Sequence, residues 1–187
     1  MNLFYDEYKE SVIINDKEVP IITDFREYIR LLDMLNDDEL KSTEKIYYLR
    51  QYFLEDPKDI VEAMKQLTDF ILMKNDTKKD DAYNTAEESK RELYSFEYDF
   101  PFIFSAFLSE YGINLKTIKY MHWWEFKNLF EGLSSDTEIK QRIMYRSIDL
   151  NSIKDSNERK RISKIQNAIR LPNSRINDYD IGDVFGW

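Results

Sequence analysis

His122 is the single histidine of the chain, so any scheme that needs an imidazole at neutral pH passes through it. Its neighbours are Trp123, Trp124 and Glu125. A general base wants an orienting carboxylate and a nucleophile within hydrogen-bond reach, and Glu125 shares a helical face with His122 only approximately. The residues favour a blander role, in which an aromatic cluster packs a core and His122 satisfies a polar contact at its edge. The acidic runs Asp37-Asp38-Glu39 and Asp80-Asp81 hold the atoms for paired acids or for a hard cation, yet both lie in turn or linker composition, where carboxylates are commonly solvated. Serines and threonines are scattered without a strained Gly-x-Ser-x-Gly turn, and the Gly-x-x-x-x-Gly-Lys phosphate loop is absent. The chain has no Cys, which removes disulfide scaffolds, thiolate zinc sites, iron–sulfur clusters and thiol catalysis together. No catalytic residue, cofactor or metal is expected.

Recognition is the chemistry left. Arg159, Lys160, Arg161, Lys164 and Arg170 accompany Ile162, Ile165 and Ile169 at helical spacing, a basic amphipathic pattern that suits an acidic partner helix or nucleic acid. A merely solvated face explains the same residues, because cations near a helix C-terminus complement its dipole. A protein partner ranks above nucleic acid, since the whole chain carries a formal charge of −9. The last residues set Tyr179, Ile181, Val184, Phe185 and Trp187 among Asp178, Asp180 and Asp183, which fits a segment that orders on docking or one packed on its own domain.

The elements that must carry these residues are mainly helical. Val12-Ile13-Ile14, the polar Asn15-Asp16-Lys17 and then Val19 to Ile22 predict a β-hairpin. Thr23 or Asp24 can cap a first helix with Phe25, Ile29, Leu32 and Leu35 on one face. Ser42 or Thr43 can cap a second through Phe53, and Asp56-Pro57 can open a third with Ile60, Val61, Met64, Leu67 and Ile71 inside. Residues 73–92, MKNDTKKDDAYNTAEESKRE, show no period and almost no branched aliphatics, so they read as a polar flexible linker. Tyr94 to Tyr98 has extended spacing. A helix from about Asp99 should stop at Gly112 in a left-handed cap, followed by helices over about Lys119 to Glu131, from near Thr137, and over Ser156 to Leu171. The expected fold is therefore mainly α: six to seven short helices in two small helical subdomains, residues 1–72 and 93–171, with an N-terminal hairpin and a tail over 172–187. Trp123, Trp124 and Phe126 are expected in the second core.

Charge follows this division. Residues 1–72 hold 17 acids and 9 bases, whereas residues 93–171 hold 10 and 12. An acidic half and a slightly basic half suit either mutual attraction or two distinct partner-facing surfaces. The 187 residues suffice to bury roughly 70% of the unfolded surface. Apolar runs are far short of the roughly 20 residues a bilayer span needs, and the start MNLFYDEYKE lacks a basic-then-apolar leader, so a soluble, unexported protein is expected.

Several blocks together form a recognisable pattern: Met1 to Tyr5, Asp24-Phe25-Arg26, Tyr94 to Asp99, Phe107-Leu108, Tyr111 to Leu115, His122-Trp123-Trp124-Glu125-Phe126, and Ile143 to Leu150 with Tyr145 inside it. In this order, over about residues 1–172, they resemble the family called bacteriophage gene product fifteen, found in tailed phages and prophages of low-GC Gram-positive bacteria. The resemblance implies a non-catalytic tail assembly chaperone that holds the phage tape-measure protein soluble in the host cytoplasm and is absent from the finished virion. Its implied partners are the tape-measure protein and other tail assembly proteins, with self-association a further class; a minor structural tail component or a nucleic-acid binder is the alternative. It implies no cofactor and no membrane partner. The segments 73–92 and 172–187 match no family motif.

Overall fold

The computed structural model describes residues 4–74 and 93–172. Apart from Met73 and Lys74, the expected linker lies outside the described residues, as does the tail from residue 173. The fold is mainly helical, with seven α-helices and one two-stranded antiparallel sheet among the described residues. Residues 4–74 and 120–127 belong to one unit, and residues 93–119 and 128–172 to a second.

In the first unit, strands β1 (Ser11–Ile14) and β2 (Lys17–Pro20) pair with Ile14 opposite Lys17 and Val12 opposite Val19. The turn is the two residues Asn15 and Asp16, with φ of 48° and 61°. Both central residues of such a hairpin turn need positive φ, which Asn and Asp tolerate better than most residues because their short polar side chains bond locally. Alternation puts Val12, Ile14 and Val19 inside. Helix α1 (Phe25–Leu35) follows, capped by Asp24, whose carboxylate accepts the Arg26 N–H at 3.0 Å. Its buried face is Phe25, Tyr28, Leu31, Leu32 and Leu35.

Helix α2 (Ser42–Arg50) is capped one position earlier than expected and ends three residues before Phe53: Lys41 occupies the cap position, and Glu44 closes the turn by accepting the Lys41 N–H at 2.9 Å. Helix α3 (Ile60–Ile71) starts later than Asp56-Pro57 suggests, and Val61, expected inside, is exposed because the buried face runs through Ala63, Met64, Leu67, Phe70 and Ile71. The Asp59 carboxylate, which accepts the Glu62 N–H at 3.1 Å, is the effective cap, and Pro57 is buried ahead of it. Each fully buried Leu or Phe contributes about 1.5–3 kcal/mol of apolar transfer. The faces of α1 and α3 therefore both add to this unit's cohesion.

In the second unit the expected extended run before α4 is a turn over residues 96–99. Helix α4 (Phe100–Tyr111) ends at Gly112, left-handed at φ 67° as its place after the last periodic residue predicts. Helix α5 (Trp123–Gly132) begins four residues after Lys119, and its residues are divided between the two units. Helix α6 (Glu138–Ser147), a short 3-10 turn (Leu150–Ser152) and α7 (Ser156–Ala168) complete the second unit. Helix α7 stops three residues short of Leu171. Ile103, Ala106, Phe107, Leu115, Phe130, Leu133, Ile139, Ile162 and Leu171 form the second core.

Candidate functional site

The His-Trp-Trp block belongs to the first unit, not to the second core expected from chain order. The backbone places it there. Phe25 N–H donates to Met121 O at 3.0 Å and Trp123 N–H to Thr23 O at 2.7 Å, an antiparallel bridge between Asp24 and His122. Trp123 and Trp124 are almost wholly buried, and each uses its indole N–H on a different carbonyl at the end of α3. Trp123 Nε1 donates to Ile71 O at 3.1 Å and Trp124 Nε1 to Phe70 O at 2.7 Å. The last carbonyls of a helix have no intrahelical partner, so two adjacent tryptophans complete the end of α3 while filling the core. Phe126 stacks on Phe25 with ring centroids 4.7 Å apart.

His122 is 3% exposed, and both ring nitrogens are engaged. Nδ1 accepts the backbone N–H of Trp124 at 3.0 Å, which puts the proton on Nε2, and Nε2 donates to Lys9 O at 3.0 Å. The imidazole is therefore neutral, caps the start of α5 and ties the segment before β1 to it. Tyr8 stacks on the ring at 4.7 Å, and Phe70 meets it edge-on at 5.7 Å. Burial lowers the histidine pKa, outweighing the Lys9 carbonyl and the charges of Glu10 and Glu125, which raise it. With both nitrogens committed, no ring atom is left to take a substrate proton in this conformation. Among the described residues no group of three or more His, Asp or Glu could hold a metal ion, and no helix is long and apolar enough to cross a membrane.

The cationic candidates of the last helix are all exposed but not equivalent. Arg159 turns back, and its Nε donates to Ile153 O at 3.0 Å. Arg161 pairs with Glu158 at 2.6 Å, and that hydrogen-bonded pairing raises the guanidinium pKa and lowers that of Glu158. Lys160 and Lys164 point to solvent one helical turn apart, on the side shared with Arg161. Arg170 lies beyond the helix end. Gln166 anchors the opposite side of α7 by donating to Tyr145 O and Ile148 O, both at 2.8 Å. Tyr145 is half-buried, and its carbonyl takes that bond. Tyr179, Phe185 and Trp187 lie outside the described residues.

Sequence reasoning misses one element of the second unit. Arg146 and Asp99 form a buried two-pronged ion pair, Nη1 to Oδ2 at 2.6 Å and Nη2 to Oδ1 at 3.0 Å, with side chains 8% and 1% exposed. Arg146 also donates to Leu93 O and Ile169 O, both at 2.9 Å, and Asp99 accepts the Ser95 N–H at 3.0 Å. The guanidinium thus joins the segment before α4, α6 and the end of α7. Both residues fall inside distinctive sequence blocks, Tyr94 to Asp99 and Ile143 to Leu150, which was the available signal.

These blocks coincide with a family signature: the model for the bacteriophage Gp15 protein matches residues 4–171. The chain belongs to that family. No curated protein and no solved structure matches it. The Gp15 match takes in the His122 cap, the tryptophan pair, the Asp99–Arg146 pair and α7. It stops short of the final residues with Tyr179, Phe185 and Trp187. The blocks on which the Gp15 resemblance rests thus include the contacts that order each unit.

Proposed function

We propose that this Gp15 family member is a non-catalytic tail assembly chaperone that binds the phage tape-measure protein and keeps it soluble in the bacterial cytoplasm until tail subunits replace it. The observation that carries the reading is the family match over residues 4–171. Two features agree with it. The lone histidine is spent on backbone contacts, so the residue best suited to acid–base chemistry serves the fold. Helix α7 exposes Lys160, Arg161 and Lys164, cations that would set register on a helical client while burial of apolar side chains supplies affinity. Arg170 and the residues Tyr179, Phe185 and Trp187 complete the proposed partner-facing set.

The test is co-expression with the tape-measure protein of the same phage. The client should be soluble only when this chain is present and should co-purify with it, and mass spectrometry of purified virions should find no trace of the chain. Its recovery from mature particles at a fixed copy number would assign it instead to the tail structure.

A further inference from the structure

The hairpin of the first unit has one strand edge already occupied and one open. On the far side of β2, Leu54 N–H donates to Pro20 O and Ile22 N–H to Tyr52 O, both at 2.9 Å, and Ile21 bridges Phe53. On the near side, Ile21 N–H donates to Glu10 O at 3.0 Å. That bond sets the phase of the ladder: Val12 with Val19 and Ile14 with Lys17 exchange hydrogen bonds, so the N–H and C=O groups of Ser11 and Ile13 point away from β2. Among the described residues nothing bonds to them. The Ile13 side chain is 51% exposed.

This open edge forms one wall of a groove of about 630 Å³ whose other wall is α3. Lys9, Ser11 and Ile13 alternate along the strand side, while Glu62, Gln66 and Asp69 lie at spacings of four and three along one face of the helix. Asn15 Nδ2 donates to Asp59 Oδ2 at 3.3 Å, fixing the hairpin turn to the start of α3, so the two walls are held together before anything enters. Charge in the groove leans acidic. Asp16, Glu62 and Asp69 face Lys9 and Lys74, and Lys74 already pairs with Asp69 at 3.1 Å. The described residues of the unit around it, 4–74 and 120–127, hold 18 acids and 11 bases.

We propose that β1 and α3 form a strand-addition groove for an extended, cationic segment of a partner protein. The segment would continue the sheet by pairing with the free groups of Ser11 and Ile13, with lysine or arginine side chains reaching Glu62 and Asp16. Unpaired main-chain groups on a sheet edge are a template for one more strand, and the helix opposite supplies side-chain selectivity. The charge excess disfavours a second copy of this acidic unit as the occupant. The inference stands on the first unit alone and holds whichever protein is the client.

The full chain is titrated into two fluorescein-labelled octapeptides, one alternating lysine with valine and one alternating glutamate with valine. The lysine probe should bind at least about tenfold more tightly, and the amides of Ser11 and Ile13 should gain protection from hydrogen exchange. Ile13→Pro, which removes an outward N–H without breaking a bond to β2, should cost at least about tenfold in affinity at unchanged helical content. Should that variant unfold, Glu62→Gln with Asp16→Asn leaves the edge intact and should abolish the preference for the lysine probe. Equal affinity for both probes, binding to neither, or protection confined to other amides overturns the proposal. So does a concentration-dependent dimer abolished by Ile13→Pro, which would make the edge a contact between copies of the chain.

Discussion

His122 Nδ1 and the backbone N–H of Trp124 are 3.0 Å apart, an arrangement only a neutral imidazole can make. Protonation would turn the acceptor into a donor facing an N–H at the positive end of α5. Burial has already lowered the folded-state pKa, and Tyr8, Glu10 and Glu125 are the polar groups around the ring. A depressed folded-state value means that His122 contributes its stability above the unfolded pKa, about 6.5, and loses it as pH falls through that value toward the lower folded one. The expected outcome is a thermal midpoint that falls on acidification below pH 6.5, with a slope of up to about 1.4 kcal/mol per pH unit from this residue. In His122→Ala that component should vanish, and at pH 7.5 the variant should lose about 2 kcal/mol or more from the missing cap and the orphaned Trp124 amide. Thermal melts of both proteins across pH 5 to 8 check this.

The indole bonds to α3 can be separated from indole packing. Trp124→Phe keeps a stacked ring beside Phe70 but removes one of two donors to Phe70 O, the Met73 N–H at 3.1 Å remaining, and it should cost about 0.5–1.5 kcal/mol. Trp124→Ala removes the ring as well and should cost about 3–5 kcal/mol. Urea unfolding of the pair should show that order. Equal losses would mean that the indole hydrogen bond, and not the packing of the ring, carries the stabilisation.

In the second unit, Asp99→Ala should destabilise by about 3–5 kcal/mol, because it leaves the Arg146 guanidinium buried beside two carbonyls without its counter-charge. Arg146→Lys should rescue little, since a single ammonium cannot span both carboxylate oxygens and two backbone carbonyls. The Asp99→Ala/Arg146→Met double variant should be more stable than the sum of its single losses predicts, and the coupling is read from denaturation midpoints.

How much of this is legible along the chain depends on the distance over which each cause acts. The left-handed stop at Gly112 is announced by residue type alone, whereas residue type leaves the first cap open between Thr23 and Asp24 and reads Lys17, which belongs to β2, into the Asn15-Asp16 turn. The start of α3 is misread at Asp56-Pro57 because Asp59 competes as a cap three residues on, and bonding to Glu62 decides between them. The tryptophan pair is recognisable as core, but its partners Phe70 and Ile71 lie more than 50 residues upstream, so its unit is not. Asp99 and Arg146 are 47 residues apart and lack any periodic relation. Residues 52–54 pair beside β2 and leave β1 as the open edge of the hairpin, a tertiary fact with no sequence signal.

The last helix offers the sharpest test of the proposed client contact. Arg159 is a poor probe, because replacing it also breaks its bond to Ile153 O and disturbs the entry into α7. Lys160 and Lys164 are exposed, carry no such bond among the described residues and share a face, so Lys160→Glu with Lys164→Glu reverses the local field and leaves the Ile162 and Gln166 anchors intact. Helical content and thermal midpoint should stay within about 0.5 kcal/mol of wild type, as for ordinary surface changes. Client binding should weaken in low salt, and the difference from wild type should shrink as ionic strength rises, because exposed charges more than about 8–10 Å apart are screened at physiological salt. A salt series of tape-measure binding for the two proteins decides the matter. Identical affinities at low ionic strength would remove α7 from the contact surface and leave the acidic first unit as the side that meets the client.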